Sequence, residues 1–110
     1  MPVLQEFNPD LVLVSCGFDS AAGDPIGGLR VTSDGFVFMT QQLVGLKRPI
    51  SFVLEGGYDL SILEWGSCAV IKGLVEKPSE KTISGCNKIG QEGIELCMKA
   101  ISPYWKCLKS

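Results

Sequence analysis

Two short apolar runs constrain this chain more than anything else in it. LVLVS (residues 11–15) and ISFVL (residues 50–54) are unbroken by polar alternation and rich in β-branched residues. Half-solvated strands alternate, so runs of this kind are expected to be strands buried on both faces, as in a parallel sheet. Pro9 and Asp10 punctuate the approach to the first, and Lys47, Arg48 and Pro49 the approach to the second. Residues 33–46 between them carry a helical pattern, with Phe36, Met39, Gln42 and Leu43 along one side and Val37, Thr40 and Val44 beside it. Ser33 or Thr32 can cap its start, Asp34 suits the positive end of its dipole, and Gly45 stands near its end. Strand, helix, strand in that order is a βαβ crossover, expected to be right-handed.

A second helix is expected after the second strand. SILE (residues 61–64) has capping-box spacing, Leu60, Leu63, Cys68, Val70, Ile71 and Leu74 supply an apolar surface, and Pro78 blocks continuation. Residues 77–90 are polar and glycine-containing and read as a linker. Residues 91–101 predict one more short helix with Ile94, Cys97, Met98 and Ile101 inward, ended by Pro103, with Tyr104 and Trp105 packing as a terminal plug.

An apolar fraction of 45% over 110 residues is enough for a folded core, and the length suits one domain or one piece of a larger one. The net charge of −2, with no basic block, argues against direct nucleic-acid binding through phosphates. No apolar run approaches the roughly 18 residues of a membrane span, so no membrane partner is expected. The start, MPVLQEFNPD, lacks the basic flank and apolar core of a signal peptide, so nothing in it directs secretion. The cysteines, Cys16, Cys68, Cys86, Cys97 and Cys107, are odd in number, irregular in spacing and without a C-x-x-C pair. A zinc knuckle is therefore not expected, and the thiols read as free and buried in a reducing compartment.

Parallel α/β sheets carry their sites in the loops beyond the carboxyl ends of the strands. Here those loops are CGFDSAAGDPIGG, with Asp19 and Asp24, and EGGYD, with Tyr58 and Asp59. If the two strands are neighbours, Asp19 and Tyr58 face one cleft. An Asp carboxylate there can bind a divalent metal, and a phenol can donate a hydrogen bond to an oxyanion. Small residues after Asp19, and the pairs Gly27–Gly28 and Gly56–Gly57, allow close approach of backbone and ligand. Equally, an Asp after a strand caps a turn, and G-G-Y is a turn in its own right. GDPIGG lacks the G-x-x-x-x-G-K-[ST] of a phosphate-binding loop.

NPDLVLVSCGFDSAAGDPIGG followed by LEGGYDL, with TQQLVGL between them, resembles the C-terminal part of a zinc-dependent histone deacetylase catalytic domain. Within that family it is most similar to class II, in particular class IIb. The resemblance is strong over about residues 4–75 and weaker in the tail that includes SPYWKCL. It implies an α/β fold, the C-terminal portion of a three-layer, parallel-sheet, arginase-like deacetylase, built as βαβα plus a C-terminal helix. Residues 1–76 would be the C-terminal part of the catalytic domain, and residues 77–110 a linker and helical tail. Asp19, in GFD, matches a metal-binding aspartate. Tyr58, in EGGYD, matches the catalytic tyrosine, and follows class IIb rather than the histidine of class IIa. Gly56 and Gly57 match the glycine loop beside the acyl-lysine tunnel, and Ile26 falls at the tunnel mouth. Cys16 stands where a small residue is usual. The implied cofactor is Zn2+, and the implied reaction is hydrolysis of N-acetyl-lysine in histones or other proteins to lysine and acetate. Nucleus and cytoplasm are both compatible with it, and it names no co-repressor or ubiquitin-pathway partner.

The family pattern also needs an upstream Asp-x-His and a paired His-His, and this chain contains no histidine. Asp19 alone is one ligand of a normal three-ligand catalytic site, and no group is poised to shuttle protons near neutrality. The expectation is a C-terminal fragment, or the product of a truncated gene model or splice form, that is catalytically silent by itself and has unpaired strand edges. Two alternatives stand beside the deacetylase: a non-catalytic pseudoenzyme or interaction module, and an acetylpolyamine-type amidohydrolase sharing GFD and EGGYD.

Overall fold

The computed structural model describes residues 1–78, 85 and 87–109. Its elements in chain order are α1 (Pro2–Phe7), β1 (Val12–Cys16), α2 (Ser33–Val44), β2 (Ile50–Leu54), α3 (Leu60–Val75), α4 (Lys88–Ile101) and a closing 3-10 turn (Lys106–Leu108). They form two compact units, Asp10–Ser79 and Met1–Pro9 with Glu80–Ser110.

In the larger unit β1 and β2 are parallel neighbours, paired from Val12 opposite Ile50 to Cys16 opposite Leu54. The connection between them contains α2, as the βαβ pattern requires. Thr32 caps α2 by accepting from the Gly35 amide at 3.3 Å, and Asp34 lies in the first turn. The core gathers Phe18, Ala21, Phe36, Ile62, Ala69 and Val70, with Cys16, Phe52, Val37, Leu63 and Trp65 against it. Phe18 and Phe36 meet edge to face with ring centroids 5.2 Å apart, and Phe36 abuts Trp65 at 6.0 Å. Gly73 brings α3 against α2, since a Cβ there would lie 2.7 Å from the Thr40 Cβ. The buried Gln41 side chain donates to the Lys77 carbonyl at 3.3 Å, just beyond the end of α3.

Several expectations are corrected. The strands are covered on one face only: Leu13 is 69% exposed and Val53 52%. Cys16 and Phe52 on the opposite face join the helical core, and among the described residues nothing buries the outer one. The apolar stripe of α2 is rotated from the expected side. Phe36, Thr40 and Gln41 are buried while Met39 and Gln42 are exposed, because Thr40 and not Met39 meets Gly73. The core side of α3 is Ile62, Gly66, Ala69, Val70 and Gly73: Val70 is buried as expected, hydropathy undervalues Gly66, Ala69 and Gly73, and Leu60, Cys68, Ile71 and Leu74 are exposed. Its cap is Asp59 and not a capping box begun by Ser61.

In the smaller unit α1 is a six-residue helix not anticipated from periodicity. Pro2 suits its first turn, and Asn8 ends it in a left-handed conformation, φ 53°. Glu6 accepts from the amides of Lys106 at 3.0 Å and Cys107 at 2.7 Å, and Phe7 meets Trp105 edge-on at 6.4 Å. The helix expected over 91–101 begins earlier, at Lys88, because Asn87 caps it through the Gly90 amide at 2.7 Å. None of its residues is buried, so Ile94, Cys97, Met98 and Ile101 do not form a closed inner face. Trp105 is half-buried, but Tyr104 is 81% exposed and plugs nothing. Cys68, Cys97 and Cys107 are exposed and Cys16 is half-buried, so none of the cysteines among the described residues is fully buried. Cys86 lies outside the described residues, as does half of the expected linker. No helix among the described residues is long and apolar enough to cross a membrane.

Candidate functional site

Because β1 and β2 are parallel and in register, their carboxyl ends lie side by side, and the pairing runs on past them. The Glu55 amide donates to the Cys16 carbonyl at 3.3 Å and the Phe18 amide to the Gly56 carbonyl at 2.8 Å. CGFD and EGGY therefore run abreast. Asp19 turns its carboxylate onto the Gly56 backbone: a Cβ at Gly56 would collide with the Asp19 Oδ2 and lie 2.9 Å from its Cγ. Gly57 holds φ at 128° and sits against Phe18 and Leu63, a backbone state that L side chains rarely adopt. Gly27 backs onto the Asp19 carbonyl, where a Cβ would not fit.

Asp24 joins the two loops. Its Oδ1 accepts from the amides of Ile26 at 2.8 Å and Gly27 at 2.9 Å, and its Oδ2 accepts from the Tyr58 amide at 2.9 Å. The residue is only 9% exposed. Burial pushes its carboxyl up, but the Tyr58, Gly27 and Ile26 amides together outweigh that and hold it below the ordinary Asp value. On the other side of Tyr58, Asp59 caps α3 through the amides of Ser61 at 2.8 Å and Ile62 at 3.2 Å, and also accepts from the Ser61 hydroxyl. The Ser61 hydroxyl and the Ile62 and Ser61 amides hold the Asp59 carboxyl below its ordinary value, against burial and the charge of Asp24.

Tyr58 is thus fixed at its amide and followed at once by a capped helix, while its side chain stands 58% exposed at the rim. Ile26 is likewise exposed, on the loop that Asp24 closes. The structure brings the loops of Asp19, Ile26, Gly56, Gly57 and Tyr58 to one end of the sheet. Sequence reasoning placed Asp24 and Asp59 in these loops but gave neither a part. The available signals were an Asp-Pro turn with Gly three residues after the Asp, and an Asp directly before a helix. A separate apolar groove of about 220 Å³ is lined by Cys16, Phe18, Phe52, Leu54, Val70 and Leu74 among others. None of the rim residues named above lines it.

The Asp24 and Asp59 carboxylates are taken up by main-chain amides, which leaves the Asp19 carboxylate and the Tyr58 phenol as the candidate chemistry at the rim. No group of three His, Cys, Asp or Glu residues able to hold a metal occurs among the described residues, and the chain has no histidine. A catalytic zinc needs about three protein ligands, so these residues alone do not fit one.

A carboxylate and a phenol on adjacent loops, past the carboxyl ends of parallel strands, are the rim of an enzyme-type α/β domain. Residues 1–74 match the histone deacetylase domain, and the chain belongs to that family. It is 42% identical to the histone deacetylase clr3 of Schizosaccharomyces pombe over 99% of its own length and 16% of that protein. It is 42% identical to the histone deacetylase HDA1 of Candida albicans, over 99% of this chain and 13% of that one. It is 40% identical to the human polyamine deacetylase HDAC10, over 99% of this chain and 17% of that one. The solved structure of Clr3 superposes with a TM-score of 0.87 at 40% identity, covering 98% of this chain and 18% of that chain. The HD domain of HDA15 gives 0.82 at 36% identity, covering 97% and 30%. The fold is accordingly a portion of the deacetylase, arginase-like α/β fold, and the chain spans under a fifth of each of these three relatives' length.

Proposed function

We propose that this chain carries part of the site of a lysine deacetylase, a hydrolase that cleaves N-acetyl-lysine of histones or other proteins to lysine and acetate. Asp19 is read as one ligand of a metal, Zn2+ in the family reading. Tyr58 is read as the catalytic donor to the oxyanion of the cleaved amide, and Gly56, Gly57 and Ile26 as walls of the substrate channel. Residues 1–76 form the deacetylase part in this reading and residues 77–110 a tail, with nucleus and cytoplasm both compatible locations. The observation that carries the reading is the juxtaposition of the two loops: Asp19 against Gly56, and the Tyr58 amide bonded to Asp24. A phenol held at a fixed main-chain position costs little reorganisation when charge develops beside it. The remaining metal ligands and the acid–base groups must come from outside these 110 residues.

The purified 110-residue chain, supplied with zinc, is therefore expected not to turn over an acetyl-lysine peptide, and turnover would refute that part of the reading. The positive test is a chimera in which this chain replaces the matching segment of S. pombe Clr3. The chimera is expected to hydrolyse acetyl-lysine peptide, and Tyr58→Phe is expected to lower kcat about 10²–10³-fold. An unchanged kcat removes Tyr58 from the mechanism. Similarity to a polyamine deacetylase favours a second substrate class, and hydrolysis of an acetylpolyamine in preference to the peptide would select it. The absence of histidine favours a non-catalytic interaction module for the isolated chain, and zinc-dependent turnover by that chain would exclude it.

A further inference from the structure

We infer that Asp24 is a positioning residue, which sets where the Tyr58 phenol stands by gripping the Tyr58 main chain from the neighbouring loop. The inference rests on the deacetylase reading of Tyr58 and adds to it a residue that does not touch substrate. The two oxygens of the carboxylate divide the work. Oδ1 closes its own loop through Ile26 and Gly27, and Oδ2 reaches 34 residues along the chain to Tyr58. A charged acceptor gives the stronger kind of hydrogen bond, and a buried one tolerates little movement of its donors. Ile26 N and Tyr58 N, on either side of the rim, are thereby referred to one side chain. Tyr58 itself follows Gly57, whose positive φ leaves the loop without a stiff backbone of its own. The Asp59 cap fixes the main chain on the other side. The Asp24 contact is what ties the intervening residue to the loop that bears Asp19.

The substitution Asp24→Asn separates the two tasks. Its amide oxygen can keep both bonds to Ile26 and Gly27, and two bonds against one select that orientation. The NH2 group then faces the Tyr58 amide, donor against donor, and the strut is lost while the first loop stays closed. In the 110-residue chain, amide exchange followed by NMR should show Tyr58 losing protection roughly 10-fold or more in Asp24→Asn, with Ile26 and Gly27 little changed. Equal loss at all three, or none at Tyr58, overturns the inference. In the Clr3 chimera, Asp24→Asn should lower kcat about 10–100-fold with KM nearly constant. Combined with Tyr58→Phe, it should add almost nothing to the loss from Tyr58→Phe alone. If Tyr58→Phe is harmless, the deacetylase reading of Tyr58 fails first. If Tyr58→Phe is damaging and Asp24→Asn multiplies its effect in full, Asp24 does not act through Tyr58 and the positioning inference is wrong.

Discussion

Gly66→Ala sets two opposed effects against each other at one atom. Gly66 lies inside α3, and in a free helix the added methyl stabilises by roughly 1 kcal/mol. Here a Cβ would stand 2.5 Å from Phe18 Cδ1, 2.8 Å from Cε1 and 2.9 Å from Cγ. Carbon atoms rest at about 3.5–4.0 Å, so the ring must withdraw by about 1 Å. Withdrawal is resisted on the core side, since Phe18 is 3% exposed and bears on Phe36, which bears on Trp65; only the groove shared with Cys16 and Phe52 offers it space. Overpacking of this kind costs about 1–3 kcal/mol, and three ring carbons are struck at once, so the upper part of that range applies. The net expectation is a loss of roughly 1–2 kcal/mol after the helix-propensity gain. The assay is urea unfolding followed by fluorescence in a Trp105→Phe background, where Trp65 reports alone. With a slope of about 1 kcal/mol/M the midpoint should fall by roughly 1–2 M. Phe18→Leu removes part of the obstructing ring, so Gly66→Ala should cost distinctly less in that background. A rise in midpoint for Gly66→Ala, or strict additivity with Phe18→Leu, refutes the steric account.

Gly93 in α4 has no heavy atom within 4 Å of an added Cβ, so Gly93→Ala should instead slow amide exchange in α4, about fivefold. Thr32→Ala removes the cap of α2 and should cost about 1 kcal/mol in the same urea assay, with an unchanged slope. Asp24 and Asp59 have folded-state carboxyls held below the ordinary value near 3.8. A depressed folded pKa stabilises above the unfolded pKa and is lost as pH falls through the folded one. Stability should therefore decline as pH drops below about 4, and Asp24→Asn should flatten part of that decline; a profile unchanged by the substitution counts against the Asp24 contacts. Iodoacetamide near neutral pH should alkylate Cys68 and Cys97 before Cys16, whose thiol is half-buried and pushed up by burial, and mass spectrometry of timed samples reads the order.

The parts of this fold that are legible before any coordinates are those carried by local pattern. The runs at 11–15 and 50–54 become β1 and β2, and the pattern over 33–46 becomes α2, with Thr32 as its cap. What escapes is decided by contacts distant in sequence. Leu13 and Val53 are apolar enough for a two-sided burial that the described residues supply on one side only. Gly66 and Gly73 carry no hydropathic signal, yet they set the faces by which α3 meets Phe18 and Thr40. The start of α4 turns on one Asn87 side chain, and α1 is too short for a periodicity to register. At the rim, GFD and EGGYD mark the loops, but only parallel pairing brings them abreast. The bond from Asp24 to the Tyr58 amide joins residues whose spacing along the chain carries no motif.

Since Asp24 holds an amide, and every residue type except proline supplies one, the grip at position 58 is blind to the side chain hung there. Variation at that position can exchange one functional group for another without disturbing the anchorage, so its chemistry is free to diverge while its location is inherited. The converse also holds: a proline at 58 would forfeit the anchorage whatever its ring offered in return.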